Sequence, residues 1–338
     1  MGGFGEGGAR PAAPGGAGRA RNAQRVGQSG AVLRLPAAPW RTRFAPAPTG
    51  YLHLGHAVNA IYVWGLARAA GGRVVLRIED HDRIRSRPEY EAALLEDLEW
   101  LGLEPDERAP RQSERVERYA EILAGLEARG LAYPCVCTRR EIREARPEAA
   151  GEEGELCYPG TCRARGIDPA STPIRRLGLE RREVAFTDLR LGEQRQVPAD
   201  QCGDLLLRDR DGNWTYQLAV VVDDLDQGID LVIRGEDLLA STGRQIQLAE
   251  ILDPEGDRKV PATFLHHPLV LKEDGSKLSK SDEDTGLGEL RAAGWSPERV
   301  LGEAAYRAGL QVGRRTGARS LSARDLAEVF ARTLRPAG

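Results

Sequence analysis

The order of apolar and polar positions predicts a strand, a loop and a helix early in the chain. A short extended piece at Thr42–Phe44 leads into a proline-rich turn that ends at Gly50. An apolar run with helical spacing then covers Gly55–Ala70 and is closed by a pair of glycines. Helices commonly end at glycine, so the pair marks the end of this helix.

The same alternation continues downstream. The segment Arg73–Glu79 is β-branched and compact enough for a buried strand, and helical spacing follows at Pro88–Leu101 and Ser113–Arg129. Strands that alternate with helices usually form one parallel sheet, with helices on both faces. The pattern therefore predicts an α/β fold with a Rossmann-type doubly wound parallel sheet.

A region in the middle of the chain interrupts this rhythm. Residues Tyr133–Gln201 contain cysteines, glycine-rich turns and an acidic patch, which predicts an inserted subdomain. The sheet is expected to resume with buried strands at Leu218–Val222 and Leu231–Ile233 and a helix at Thr242–Leu252. A short helical segment is expected after Ser281.

Composition narrows the class of protein. Lys and Arg number 48 against 51 Asp and Glu, a formal net charge of -3, so an RNA partner would need a local basic patch. The odd count of five cysteines and the lack of a secretory signal favour the cytoplasm and metal binding over disulfides. The apolar run near Leu218–Asp224 ends in acids and falls short of the roughly 18 residues that span a bilayer.

The first segment with chemical potential is Arg43–Gly50, followed by His53-Leu-Gly-His56 where a helix opens. A helix N-terminus presents unpaired N–H groups to an anion, and two imidazoles three residues apart share one helical face. These features predict a phosphate-handling site. The alternative is that His53 and His56 are helix-capping or surface residues.

The second segment, Lys272–Ser281, is a glycine-containing loop with three lysines. Their ammonium groups can neutralise a triphosphate and stabilise departing pyrophosphate. A lysine-bearing loop is usually only solvated, so the upstream histidines give this signal its weight.

Together, His53-Leu-Gly-His56 and Lys277-Leu-Ser-Lys-Ser281 resemble the two signature motifs of class I aminoacyl-tRNA synthetases. The resemblance covers about residues 41–285. Further segments are similar to the glutamyl subclass: Arg43–Gly50, Arg77–Arg83, Thr215–Ala219 and Ile233–Leu238.

The resemblance implies roles for individual residues. ATP binding, with Mg²⁺, falls to His53, Gly55, His56, Lys277, Leu278 and Lys280, of which the two histidines and two lysines are catalytic. Glutamate binding falls to Arg43, Phe44, Ala45, Pro46, Ala47, Glu79, Tyr216 and Arg234. Glu79 would hold the ammonium group and the arginines the carboxylates, with the arginine for the side chain left open. Ala47 departs from the family, which more often has serine there.

The length of the chain after the lysine loop helps to predict which part of the tRNA receives the glutamyl group. Only 57 residues follow Ser281, too few for the anticodon-binding domain of full glutamyl-tRNA synthetases. The chain thus resembles the truncated paralogues, the glutamyl-Q tRNA(Asp) synthetases. This family activates glutamate without tRNA and esterifies it to queuosine in the tRNA(Asp) anticodon, and a monomer is expected. The alternatives are a minimal glutamyl-tRNA synthetase, a non-catalytic RNA- or zinc-binding paralogue, and a nucleotidyltransferase that makes another adenylate.

The cysteines form two clusters about twenty residues apart, at Cys135-Val-Cys137 and Cys157–Cys162, a spacing typical of a structural zinc site. Spacing alone favours four thiolates, whereas the resemblance implies Cys135, Cys137, Tyr158 and Cys162, with Cys157 as the rival fourth ligand. Reduced thiols without a metal are the alternative. Cys202 lies outside the cluster and is expected in the core.

Five parts of the chain are therefore expected. They are a flexible tail at 1–38, the first half of the catalytic domain at 39–132, a zinc-binding, acceptor-like insertion at 133–201, the second catalytic half with the lysine loop at 202–281, and a helical C-terminal remainder at 282–338. The tail is rich in Gly, Ala and Arg, with few large apolar side chains to offset the entropy of ordering. A transit peptide fits it less well, because seven glycines occur by Gly16.

Overall fold

The computed structural model describes residues 33–145, 156–256, 263–270, 285–310, 320–331 and 334. The strands are β1 Arg41–Phe44, β2 Arg73–Leu76, β3 Glu107–Arg108, β4 Ala132–Pro134, β5 Arg175–Leu177, β6 Val184–Asp188, β7 Gly192–Gln196, β8 Leu205–Arg208, β9 Leu231–Gly235 and β10 Thr263–His267. The helices are α1 Leu54–Ala70, α2 Pro88–Leu101, α3 Val116–Ala128, α4 Arg139–Ala145, α5 Pro198–Gln201, α6 Tyr216–Asp226, α7 Leu239–Leu252, α8 Leu287–Ala292, α9 Pro297–Arg307 and α10 Leu326–Ala331.

The described strands form a parallel, a mixed and an antiparallel sheet rather than one parallel sheet. Strands β1, β2 and β3 form a parallel sheet. A second sheet has the order β7-β6-β10-β9, in which β6, β10 and β9 are parallel and β7 is antiparallel. The two sheets adjoin at β1 and β9, where the N–H of Asp230 donates to the carbonyl of Arg41 at 2.9 Å. This junction brings the carboxyl ends of β1, β2, β9 and β10 together, which is where α/β sheets bind ligands.

A third sheet, β4-β5-β8, is antiparallel. Strand β5 lies within the range 133–201 predicted as an insertion, whereas β4 begins at its edge and β8 follows it. Strands β6 and β7 also lie within the range 133–201 predicted as an insertion, yet β6 pairs with β10, and β7 pairs with β6, in the second sheet. The division of the chain into domains stays a prediction.

Most of the predicted elements of the first half are present. The helix expected at Gly55–Ala70 is α1, and Gly71 ends it in the left-handed conformation (φ 71°) that glycine adopts without strain. The helix expected at Pro88–Leu101 is α2, and the helix within Ser113–Arg129 is α3. The strand expected at Arg73–Glu79 is shorter, since β2 ends at Leu76.

The strand predicted at Leu218–Val222 is wrong, because these residues lie within helix α6. All five are buried, so the run is apolar on every side and shows no helical period. In the second half, the strand expected at Leu231–Ile233 is β9 and the helix expected at Thr242–Leu252 is α7.

Helix α1 lies at the centre of the largest apolar core, which also contains residues of β1, β2, α2 and the C-terminal helices. Phe330 of α10 packs against the ring of Tyr62, with ring centroids 5.2 Å apart. Leu33 and Leu35 pack against the same core although they fall in the range predicted as tail, whereas residues 1–32 lie outside the described residues. None of the described helices has the length and apolar character needed to cross a bilayer.

Candidate active site

A cleft of about 520 Å³ opens at the junction of the two parallel sheets, beside the first turn of α1. It brings together every predicted ATP- or glutamate-binding residue that the structure describes: Arg43, Phe44, Ala45, Pro46, Ala47, His53, Gly55, His56, Glu79, Tyr216 and Arg234. These residues span almost 200 positions of sequence. The cleft therefore brings together segments that are distant in sequence and that only the motifs had linked.

The two histidines of the first motif cap helix α1. The N–H of Gly55 donates to Nδ1 of His53 at 3.0 Å, and the N–H of His53 donates to Nδ1 of His56 at 3.1 Å. Because each Nδ1 accepts a hydrogen bond, the proton of each neutral ring lies on Nε2. The capping alternative and the phosphate prediction are thus compatible, since capping uses Nδ1 and leaves the N–H of each ring on Nε2.

The predicted lysine-loop residues Lys277, Leu278 and Lys280 lie outside the described residues. The described residues on either side of the segment 271–284 are both close to the start of α1. Val270 lines the cleft, and the N–H of Leu287 donates to the carbonyl of Leu52 at 2.7 Å. The described chain on both sides of the lysine segment therefore lies beside the cleft.

Arg43 lies at the end of β1 and is paired with a carboxylate. Its Nε donates to Oδ1 and Oδ2 of Asp224 at 3.2 and 3.3 Å, and its Nη1 donates to the carbonyl of Ile233 at 3.2 Å. Burial alone would raise the pKa of Asp224, but Arg43 and Arg77 hold it below its ordinary value. The charge of Arg43 is thus balanced before any ligand binds.

Glu79 belongs to the same charged network. Fully buried Arg77 donates from Nη2 to Oε1 of Glu79 at 2.9 Å and from Nη1 to Oδ1 of Asp224 at 2.8 Å. Burial opposes the charge of Arg77, yet Asp224, Glu79 and Asp223 raise its pKa above the ordinary value. The network holds the carboxylate of Glu79 in place at the cleft wall.

Arg234, at the end of β9, is 3% exposed and has neutral partners. Its Nη1 donates to Oε1 of Gln245 at 2.6 Å, its Nη2 to Oγ1 of Thr242 at 2.8 Å, and its Nε to Nε2 of His266 at 3.1 Å. Within the described part of the chain, no carboxylate lies at ion-pair distance from it. Burial lowers the pKa of Arg234, and Arg43 acts in the same direction, against Tyr216 and Asp224. A buried cation of this kind is stabilised by an anionic ligand.

His266 and Asp188 hold Arg234 in place. Oδ2 of Asp188 lies 2.7 Å from Nδ1 of His266, so Nδ1 carries the proton and Nε2 accepts from Arg234. Burial lowers the pKa of His266, with Arg234 acting in the same direction and Asp188 against it. The neutral ring thus links Asp188 to Arg234 by two hydrogen bonds and adds no positive charge beside Arg234.

The sequence interpretation missed several residues of this site, namely Asp188, Asp224, His266 and His81. Asp224 follows an apolar run, and a buried acid there was a usable signal for an arginine partner. His81 stands inside the matched segment Arg77–Arg83 but was given no role. Nothing local to Asp188 or His266 indicates that the two residues meet.

Three thiols come together in the region that interrupts the alternation. The sulfur atoms of Cys135, Cys137 and Cys162 lie within 4.8 Å of one another, and this group could hold a metal ion. The hydroxyl of Tyr158 is 3.3 Å from Sγ of Cys135 and 3.6 Å from Sγ of Cys137. Burial opposes ionisation of Cys162, but hydrogen bonds from Tyr158, Val136 and the other thiols lower its pKa to about 7. These donors and spacings fit a tetrahedral ion such as Zn²⁺.

The two remaining cysteines lie apart from this group. Sγ of Cys157 faces the carbonyl of Asp200 at 3.6 Å, so the rival fourth ligand does not point into the cluster. Cys202 is buried, as predicted. Gly203 has φ 66° and lies against Tyr158, where a Cβ atom would be 1.7 Å from the Tyr158 carbonyl, so glycine is required beside the cluster.

Comparison with known proteins assigns the chain to a family. Residues 39–330 match the family described as tRNA synthetases class I (E and Q), catalytic domain. A glutamyl-Q tRNA(Asp) synthetase of Symbiobacterium thermophilum is 47% identical over 286 residues, which cover 79% of this chain and 86% of the relative. A glutamate–tRNA ligase 2 of Halorhodospira halophila is 41% identical, and the match covers 77% of this chain but 55% of that protein.

A solved structure supports the same assignment. A glutamate tRNA ligase from Elizabethkingia meningosepticum, in complex with its amino acid, superposes with a TM-score of 0.70 at 28% identity. The match covers 88% of this chain and 66% of that chain. The chain accordingly belongs to the class I tRNA synthetases of the E and Q type and, among them, to the glutamyl-Q tRNA(Asp) synthetase family of glutamate-activating ligases.

Proposed function

We propose that this protein forms glutamyl-adenylate from glutamate and ATP without tRNA, and then esterifies the glutamyl group to queuosine in the tRNA(Asp) anticodon. The observation that carries the proposal is the pair of opposite charges in one cleft. Glu79 is a fixed carboxylate, and Arg234 is a buried guanidinium with neutral partners. Glutamate offers an ammonium group to the first and a carboxylate to the second.

The difference between the arginines supports an assignment that the motifs leave open. The α-carboxylate loses its charge when it attacks the α-phosphate of ATP, whereas the side-chain carboxylate stays charged throughout. A permanently charged group in a buried pocket requires a permanent counter-charge. We therefore assign the side-chain carboxylate to Arg234, while Arg43, already paired with Asp224, forms the wall beside it.

ATP would lie across the start of α1. His53 and His56 would donate from Nε2 to phosphate oxygens, and Gly55 lets the nucleotide approach the backbone. Lys277 and Lys280 would neutralise the departing pyrophosphate, with Mg²⁺ bound to ATP. Ala47 has no side-chain hydroxyl for the substrate, so backbone groups of this turn would take that contact.

The acceptor is supported by identity. The relative named glutamyl-Q tRNA(Asp) synthetase is 47% identical to this chain, whereas the glutamate–tRNA ligase is 41% identical. Exposed bases of an anticodon loop are a typical target for sequence-specific RNA recognition. The second candidate is a minimal glutamyl-tRNA synthetase, favoured by the 41% identity to that ligase. We expect a monomer that works in the cytoplasm.

Two measurements test the activity. Glutamate-dependent exchange between ATP and pyrophosphate without tRNA should be robust, and its absence would contradict the first step. Labelled glutamate should then appear on queuosine-containing tRNA(Asp) and on its anticodon fragment after ribonuclease digestion. Label at the 3′ end, or equal label on queuosine-free tRNA(Asp), would support the minimal glutamyl-tRNA synthetase instead.

We also propose that Cys135, Cys137, Tyr158 and Cys162 bind a structural Zn²⁺. The ion would tie β4 to the segment that carries Tyr158, and bound structural zinc contributes directly to folding. Cys135→Ser should lower both the zinc content by elemental analysis and the melting temperature. Cys157→Ser, outside the cluster, is the matched control and should retain the metal. Equal zinc loss in both variants would argue against this ligand set.

A further inference from the structure

His81 is a half-buried residue of the cleft wall to which no role has been assigned. It follows Glu79 by two residues, and both side chains line the cleft together with Asp82 and Tyr216. The rings of His81 and Tyr216 have centroids 6.4 Å apart. If Glu79 holds the ammonium group of glutamate, His81 lines the same cleft as the reacting carboxyl group.

A chain of hydrogen bonds fixes which nitrogen of His81 carries the proton. Buried Asp223 is a pure acceptor, because it receives Nε–H of Arg115 at 2.6 Å and the hydroxyl of Tyr119 at 3.0 Å. Gln112 must therefore turn its Nε2 toward Asp223, at 2.9 Å, and its Oε1 toward His81. Oε1 lies 2.6 Å from Nδ1 of His81, so Nδ1 is the donor. The neutral ring then has its lone pair on Nε2.

Gln112 holds this arrangement rigidly. It is fully buried, and both ends of its amide are occupied by His81 and Asp223. An orienting group on Nδ1 and a lone pair on Nε2 is the arrangement of an imidazole that accepts a proton from a substrate.

The other histidines and Glu79 of the described cleft are less suited to that task. His53 and His56 use Nδ1 as an acceptor, which leaves Nε2 as a donor. Burial lowers the pKa of His267 to about 4. Glu79 is tied to Arg77 by a hydrogen bond.

Asp82 is also engaged, on both of its carboxylate oxygens. Oδ1 accepts from the N–H groups of Ile84 and Arg85, and Oδ2 accepts from Nε of Arg85 at 2.6 Å. The groups that line the cleft with His81 include Glu79, ion-paired with Arg77, Asp82, ion-paired with Arg85, the carboxylate of Asp237 and the ring of Tyr216.

We infer that His81 is the general base of the transfer step, in a reaction that rests on the proposed function. The oxygen of the acceptor hydroxyl forms a bond to the carbonyl carbon of glutamyl-adenylate, and its proton passes to Nε2 of His81. The bond between that carbon and the phosphate oxygen breaks, and AMP leaves with the electron pair. The imidazolium then releases the proton to solvent.

The two half-reactions are separated experimentally. Exchange between ATP and pyrophosphate reports activation, and a single-turnover assay with preformed enzyme-bound glutamyl-adenylate and queuosine-containing tRNA(Asp) reports transfer. His81→Ala should slow transfer by about 100-fold or more, the usual contribution of a positioned base. The exchange reaction of His81→Ala should keep the KM for glutamate of the parent enzyme, and this result would also show that the variant is folded.

A second variant and a rescue sharpen the test. Gln112→Met keeps the volume but removes the acceptor for Nδ1–H, so transfer should slow by a smaller factor while exchange persists. Added imidazole should partly restore transfer in His81→Ala. The acid limb of the pH profile for transfer, present in the parent enzyme, should be lost in this variant.

Several outcomes would overturn the inference. A raised KM for glutamate in the exchange reaction of His81→Ala would make His81 a ligand of the ammonium group. An unchanged rate of transfer in His81→Ala, or an unaltered pH profile, would show that His81 is not the general base. Absence of exchange in the parent enzyme would contradict both the proposed function and the transfer step. Normal exchange together with normal transfer in His81→Ala would contradict only the role of His81.

Discussion

Arg43 and Arg234 face the same cleft from neighbouring strands, and both are almost completely buried, yet their charges are balanced differently. Arg43 contacts Asp224, which it shares with Arg77. Arg234 contacts an amide, a hydroxyl and an imidazole. The charge of Arg43 is therefore balanced by a carboxylate of the protein, whereas the charge of Arg234 can be balanced by an anionic ligand.

The difference teaches that residue type and burial do not by themselves identify a ligand-binding arginine. A guanidinium paired with a buried carboxylate mainly stabilises the wall, because separating the two would leave both without a partner. A guanidinium held by neutral groups keeps its capacity for a substrate carboxylate. Four experiments test this contrast.

The largest effect is expected for Arg234→Ala. Loss of the guanidinium would leave the glutamate carboxylate without its counter-charge, which costs roughly 4 kcal/mol, or about a 1,000-fold fall in kcat/KM for glutamate. Exchange between ATP and pyrophosphate at varied glutamate measures it. Arg195→Ala, on the exposed edge strand β7, is the control and should be normal. A fall of less than tenfold would contradict the role of Arg234.

The converse expectation concerns stability. Asp224→Asn removes the carboxylate shared by Arg43 and Arg77, so the free energy of unfolding should fall by about 3 kcal/mol. Arg234→Met should leave that free energy unchanged or raise it, because no buried carboxylate loses its partner. Urea denaturation of both variants measures the difference. Equal destabilisation would erase the distinction between the two arginines.

A smaller effect on glutamate binding is expected when His266, which accepts a hydrogen bond from Arg234, is replaced. His266→Ala removes a hydrogen bond to a charged group, so the KM for glutamate should rise about tenfold, or roughly 1.4 kcal/mol, with kcat little changed. His266→Gln can still accept from Arg234 and donate to Asp188, and it should recover much of the loss. A fall in kcat with constant KM would mean that His266 acts elsewhere.

The smallest effect is a pH dependence. The pKa of His266 is lowered in the folded protein, so the neutral ring and the stability it contributes are present above the ordinary histidine value of about 6.5 and are lost as pH falls through the lowered value. Protonation would place a positive charge beside Arg234. The KM for glutamate should thus be flat above neutral pH and rise in acid, and His266→Gln should lack that rise. An identical acid rise in the variant would contradict the assignment.

Prediction from sequence succeeded where a residue carries its own signal. The helix at Gly55–Ala70 has an apolar period and a terminal glycine pair, and α1 follows both. Cleft residues such as Glu79 and Arg234 stand inside matched motifs, and both line the described cleft, while their role in glutamate binding stays a prediction. The strand at Leu218–Val222 failed because complete burial hides the period of helix α6.

The sequence by itself determined the family, most of the alternation of strands and helices, and several of the residues that line the cleft, because these depend on local patterns and motifs. The tertiary structure decided which charges are balanced. Arg43 meets Asp224 across 181 positions and His266 meets Asp188 across 78, pairings set by the order of strands at the junction of two sheets. An uncompensated charge is a property of neighbours in space, so it becomes visible only when the chain is folded.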